Sequence, residues 1–193
     1  MKKQIAISLI AVAFAGTALA QSSGYYGTQS TATVYAPERQ VTGFIEPSAI
    51  YVPAHDGSDD AFGGALSVGA IIHKHHMLGL DIAYFEADYD IGPGKMKFMP
   101  LTTSYQFALP LSKHVQVRPG VFGGAMFEKS KDRPGISSSN RTAFTYGASL
   151  GLDCTINKNV SIGVSGKWMH VDDVKDLRER DMALVGVNFS VRF

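Results

Sequence analysis

The sequence predicts an all-β fold, an eight-stranded antiparallel up-and-down transmembrane β-barrel, and three observations carry that prediction. Eight segments of about 10–13 residues alternate apolar with small or polar side chains, the two-residue period of a strand. The links between them alternate short and long, as they do when hairpins stand side by side with one end buried in turns. The final twelve residues, Met182 to Phe193, set Ala183, Val185, Val187, Phe189, Val191 and Phe193 against Gly186, Asn188, Ser190 and Arg192, and the chain stops on an aromatic residue.

The N-terminal region is expected to lie outside this pattern. Lys2 and Lys3 precede the apolar run Ile5 to Ala15, and Ala18-Leu19-Ala20 stands before Gln21, so residues 1–20 read as a removable signal peptide. The run is shorter than the roughly 20 residues of a membrane-spanning helix, and no later stretch comes closer. Loss of Lys2 and Lys3 takes the formal charge from +1 to −1, which removes the basic face that nucleic-acid binding requires. Residues 21–41, rich in Ser, Thr, Gly and Tyr, read as a polar lead-in. Residues 42–193 are expected to form the barrel. Cys154 is the one cysteine, so no intramolecular disulfide can form.

The first strand, Thr42 to Val52, puts Ile45, Ala49 and Tyr51 opposite Glu46 and Ser48, with Pro47 an awkward member of a ladder. The second, Phe62 to Ile72, puts Phe62, Leu66, Val68, Ala70 and Ile72 opposite Gly63, Ala65, Ser67 and Gly69. The third, Met77 to Asp88, sets Leu78, Leu80, Ile82 and Tyr84 against Gly79, Asp81 and Ala83. The fourth, Lys97 to Leu109, sets Met99, Leu101, Tyr105 and Phe107 against Thr102, Ser104 and Gln106. The fifth, Val115 to Phe127, sets Val115, Val117, Val121 and Ala125 against Gln116, Arg118, Gly120 and Gly124. The sixth, Thr142 to Ile156, alternates most cleanly, from Phe144 and Tyr146 to Leu152 and Cys154 against Gly147, Ser149, Gly151 and Asp153. The seventh, Val160 to Met169, sets Ile162, Val164 and Trp168 against Ser161, Gly163, Ser165 and Lys167. The terminal strand is the eighth.

Short links at His73–His76, Pro110–His114 and Asn157–Asn159 share one end; the longer Ala54–Ala61, Tyr89–Met96, Glu128–Arg141 and His170–Asp181 share the other. The non-apolar face holds Gly, Ser and Thr with few long charged side chains, which suits a narrow interior better than a surface in water. The apolar face is therefore expected to meet lipid, and the aromatic residues near strand ends, Tyr51, Phe62, Tyr84, Phe107, Phe127, Phe144, Trp168, Phe189 and Phe193, to form interfacial girdles. A lipocalin-like barrel with its apolar face inward is the soluble alternative. The interior charges Glu46, Asp81, Arg118, Asp153, Lys167 and Arg192 are expected to form a paired lumen network with trapped water.

From Thr42 to Phe193 this architecture resembles the small outer-membrane barrels of the OmpA and OmpX type. The resemblance implies a bacterial outer-membrane location and a lumen filled by side chains. It also implies that Phe189, Val191 and Phe193 form a C-terminal signal for the barrel-insertion machinery, after escort by periplasmic chaperones. Expected partners are outer-membrane lipid and lipopolysaccharide, with envelope or host-surface partners through the loops. A non-enzymatic role in envelope integrity or adhesion leads. A lipid A-modifying enzyme and a small pore or ligand-carrying barrel remain open.

Other motifs have plainer readings. Gly147-Ala148-Ser149-Leu150-Gly151 has the spacing of a nucleophile elbow but lies inside the best-patterned strand, with no sharp strand-to-helix turn. Gly92-Pro93-Gly94-Lys95 lacks the spacing of a phosphate loop. His73, His75, His76 and His114 share one end of the barrel but have no neighbouring carboxylate or cysteine, so no metal and no cofactor is expected. At the other end His170, Asp172 and Asp173, with Ser130 and Ser137 to Ser139, are the residues from which a hydrolytic set would have to be built. The last loop carries Asp172, Asp173, Lys175, Asp176, Arg178, Glu179, Arg180 and Asp181, either a site for lipopolysaccharide phosphates or bridging cations, or a solvated run of ion pairs.

Overall fold

Alternation with a two-residue period leaves each segment one apolar face, and closing the sheet on itself pairs every backbone group without an edge. The computed structural model, which describes residues 41–54, 59–88, 95–131, 140–172 and 180–193, shows that solution. Its strands are β1 (Val41–Val52), β2 (Ala61–Ile72), β3 (His76–Asp88), β4 (Lys95–Phe107, continued by Leu109–Pro110), β5 (Val115–Lys131), β6 (Asn140–Thr155), β7 (Val160–Val171) and β8 (Arg180–Arg192). Each pairs antiparallel with the next in sequence, and β8 pairs antiparallel with β1 to close the barrel. The expected signal peptide and all of the lead-in except Val41 lie outside the described residues; Val41 is already the first residue of β1.

The strands run further toward the long loops than the sequence suggests. β5 continues to Lys131, β6 begins at Asn140 and β8 at Arg180, with Glu128 opposite Arg141 and His170 opposite Asp181 in register. Charge reads as loop in a sequence, yet backbone pairing continues wherever two strands emerge side by side into a polar medium.

Four prolines sit inside strands, and three of them, Pro47, Pro100 and Pro119, coincide with a gap in one ladder. The β1–β8 register stops at Ile45 and resumes at Ser48, across Pro47, while Pro47 keeps its place opposite Leu66 on the β2 side. The β3–β4 register skips Pro100, and the β4–β5 register is interrupted between Gln106 and Leu109, opposite Pro119. A proline has no N–H to donate. Each gap falls on one neighbour only, so closure survives.

The apolar phase points outward on every strand. Phe62, Leu66, Ile82, Val121, Leu150, Leu152, Val164, Val185 and Val187 are exposed, as are the terminal-strand residues Phe189 and Phe193. On β6 this belt runs from Phe144 to Cys154. Ten residues extend about 33 Å along a strand, or about 25 Å along the barrel axis at a tilt of about 40°, the height of a lipid-facing band.

The inward phase differs from the expected small-residue lumen. Toward the long loops it is an apolar plug of Ile50, Val52, Phe85, Phe98, Phe122, Met126, Met169, Met182 and Leu184, with Phe85 and Phe98 stacked at a centroid distance of 5.0 Å. A smaller cluster, Phe44, Ile71, Met77 and Ala108, closes the short-turn end. The glycines make room for these bulky groups rather than lining an empty bore. A Cβ on Gly147 would lie 2.7 Å from the Phe122 ring and 1.9 Å from the Trp168 carbonyl oxygen.

Candidate functional site

Between plug and short turns the lumen is ionic. Arg118 of β5 is 2% exposed, and its guanidinium meets two carboxylates. Nη1 donates to Glu46 Oε2 at 2.9 Å and Nη2 to Glu46 Oε1 at 3.1 Å, a bidentate fork. Nη2 also donates to Asp153 Oδ1 at 3.0 Å. Nε lies 2.7 Å from Asp153 Oδ2, an ion contact in which the N–H does not point at the oxygen. Asp153 further accepts from Gln116 Nε2 at 3.0 Å and Asn188 Nδ2 at 3.1 Å. Glycine opens the space here too. A Cβ on Gly163 would lie 2.2 Å from Asp153 Oδ1, and one on Gly151 would lie 3.2 Å from Arg118 Nε.

A second pair stands next to the plug. Lys167 Nζ of β7 donates to Asp81 Oδ2 of β3 at 3.0 Å and lies 5.6 Å from the centroid of the Phe122 ring. In a ring of eight strands β1 faces β5 and β3 faces β7. Glu46–Arg118 and Asp81–Lys167 therefore each span the full diameter, on crossed lines. The barrel is braced through its middle as well as hydrogen-bonded around its wall.

A cavity of about 40 Å³ lies against this second brace, lined by Glu46, Ser67, Asp81, Thr102 and Lys167 on its polar side and by Phe122 and Leu184 at the plug. That volume holds about three water molecules. Asp81 Oδ1 is buried without a protein hydrogen-bond partner, as are the hydroxyls of Ser149, Ser161 and Ser190. Water is the partner that such atoms recruit.

Of the six lumen charges named from sequence, Glu46, Arg118 and Asp153 come together in one cluster and Asp81 and Lys167 in another. Arg192 joins neither through an ion pair among the described residues; its Nε is buried without a hydrogen-bond partner, and its backbone carbonyl accepts from Asn159 Nδ2 at 2.9 Å. The sequence places Gln116 and Asn188 on the lumen face without marking them as members of the network. Their phase was the available signal, since a neutral amide one layer from a buried carboxylate is its natural donor.

The remaining candidates scatter. Ser149 of the Gly147–Gly151 motif lies in the middle of β6 with its hydroxyl buried in the lumen. His75 Nδ1 lies 3.0 Å from the Ala108 carbonyl oxygen and His76 Nδ1 2.8 Å from the Tyr105 hydroxyl. Among the described residues no group of three His, Cys, Asp or Glu side chains is placed to hold a metal. At the long-loop end His170 Nδ1 lies 2.9 Å from Asp181 Oδ1 and Nε2 lies 3.6 Å from Asp172 Oδ1. Asp173, Ser137 to Ser139, Lys175, Asp176, Arg178, Glu179 and Gly92 to Gly94 lie outside the described residues, as do the side chains of Ser130 and Arg180.

Closed wall, outward apolar face and filled lumen together define the class of small eight-stranded membrane barrels, and comparison with solved structures agrees on the fold. The chain is similar to Neisserial surface protein A (TM-score 0.61, 15% identity, covering 80% of this chain and 97% of that one). It is also similar to the outer membrane protein OprG from Pseudomonas aeruginosa (0.57, 14%, covering 80% and 96%). A third similar structure is Ail, the attachment invasion locus protein of Yersinia pestis (0.52, 15%, covering 79% and 97%). No protein-family model and no curated protein sequence matches the chain.

Proposed function

We propose that this protein is a non-enzymatic barrel of a bacterial outer membrane that contributes to envelope integrity and presents its long loops as an interaction surface. The observation that carries the reading is the pairing of an exposed apolar belt about 25 Å high with a lumen that apolar clusters close toward both ends. Exposing such a belt to water would make an aggregate. A lumen blocked by Phe85, Phe98, Met126 and Met182 has no room for a permeating solute. The work left for such a molecule is mechanical, at its lipid surface, or at its loops. Proteins of this fold include a Neisserial surface protein and an attachment invasion locus protein, which favours the loops as the interacting part. Phe189, Val191 and Phe193, on the outward face of the closing strand, then serve the insertion machinery.

Fractionation of expressing cells with gel migration before and after boiling tests the reading. The expected result is an outer-membrane band that shifts on heating; a soluble band without a shift contradicts it. One observation favours an enzyme instead: His170 is flanked by Asp172 and Asp181 at the long-loop end. Mass spectrometry of lipid A from the same cells decides, with unaltered acylation expected and deacylated or acyl-extended lipid A supporting the enzyme.

A further inference from the structure

The three short turns repeat one pattern. They read Ile72-His73-Lys74-His75, Leu111-Ser112-Lys113-His114 and Ile156-Asn157-Lys158-Asn159: an aliphatic residue, a polar one, a lysine, and a further polar residue. The second and third share their geometry as well. Leu111 N and Ser112 N both donate to the Val115 carbonyl, at 2.9 and 3.1 Å, and Ile156 N and Asn157 N both donate to the Val160 carbonyl, at 2.9 and 3.2 Å. In the first, His73 and Lys74 take φ of 50° and 66°, where Asn and Gly are the favoured residues. The lysine is held there against backbone preference.

No Asp or Glu occurs in any of the three turns. Lys113, Lys158, His73, His75, His76 and His114 are exposed there, with Lys74 on the first turn, and Arg192 and the Phe193 carboxylate on the adjoining end of β8. The other end of the barrel differs in kind, with exposed Asp59, Asp60, Asp88 and Asp181 interleaved with Lys95, Lys129 and Arg141. Between the turn lysines stand bare aliphatic groups: Leu111 is 66% exposed, Ile156 61% and Leu109 43%. A soluble anion gains nothing from those side chains. A phospholipid offers phosphate to the lysine and acyl chain to the residue two positions earlier, as a snorkelling lysine at an interface requires.

We propose that the short turns form a ring of binding sites for the headgroups of anionic phospholipids in the leaflet they face, a proposal that rests on the membrane-barrel reading above. Each site pairs an aliphatic anchor with a lysine, Leu111 with Lys113 and Ile156 with Lys158, and the turn histidines add donors. The ring fixes the depth and direction of the barrel in its bilayer.

The native chain has one tryptophan, Trp168, toward the long-loop end of β7. The test reconstitutes two full-length proteins in mixed vesicles: the native chain, and a Trp168→Phe, Leu109→Trp variant whose reporter lies beside the second turn. Quenching by brominated phosphatidylglycerol is compared with quenching by brominated phosphatidylcholine. A preference of about fivefold for phosphatidylglycerol is expected at position 109 and about none at Trp168. Lys113→Gln with Lys158→Gln should reduce the preference at position 109 to about one, and Leu111→Ser should weaken it. Equal quenching by the two lipids at position 109, or a preference that survives both lysine substitutions, overturns the proposal. So does loss of the preference on adding soluble peptidoglycan fragments, which would assign the ring to the cell wall. Heat-modifiable migration in every variant shows that the barrel is inserted; its absence overturns the membrane-barrel reading together with the ring, whereas its presence with equal quenching overturns the ring alone.

Discussion

Toward the long loops the lumen is closed by Phe85 stacked on Phe98, with Met126, Met182 and Leu184 around them; between that plug and the Phe44 cluster at the short turns it is filled by Arg118 between Glu46 and Asp153. Both fillings occupy one bore, within a few strand residues of each other. The apolar half is held by contact area, so an error there costs in proportion to the volume removed. The ionic half is held by mutual neutralisation, so deleting one partner leaves the others buried without their counter-charge. The Asp81–Lys167 brace at the boundary belongs to both: its carboxylate lines the polar cavity while the lysine packs over the Phe122 ring.

That contrast can be broken in graded steps, each read as the urea midpoint of the folded, heat-modifiable barrel in vesicles. Arg118→Met should have the largest effect, about 4 kcal/mol, because Glu46 and Asp153 remain buried and uncompensated. Replacing Glu46, Arg118 and Asp153 together by Leu, Met and Leu should recover most of that loss; equal damage in the single and triple variants would mean that shape rather than charge matters at this level. Phe98→Ala should cost about 3 kcal/mol through the cavity left beside Phe85. Gly163→Ala should cost about 2 kcal/mol, since its methyl would meet Asp153 Oδ1 at 2.2 Å and the Leu152 carbonyl oxygen at 2.6 Å. Lys167→Met should have the smallest effect, about 1 kcal/mol, because its side chain retains 22% exposure and water can solvate Asp81 in its place.

Much of the wall was legible in the sequence and much of the filling was not. Alternation gives each residue a phase, and phase alone places Leu150 and Val164 outside and Asp153 and Arg118 inside. It cannot separate Phe85 from Asp81, which share the inward phase of β3, so the plug stayed hidden behind the glycines that accommodate it. Pairing is a property of closure: Glu46 and Arg118 lie 72 positions apart and meet only because β1 and β5 face each other across the ring. The reach of β5 to Lys131 is hidden for a simpler reason: the polar run Glu128-Lys129-Ser130-Lys131 looks like loop until the register opposes Lys97 with Lys129.

The central claim, an apolar belt turned to lipid around a filled bore, is tested most directly at Val164, which lies in mid-belt opposite Leu152 and Val187. In a Cys154→Ser background, Val164→Cys should resist a membrane-impermeant maleimide in vesicles and react fully once the barrel is unfolded. Rapid labelling of the folded protein in the bilayer would place that face in water and contradict the account.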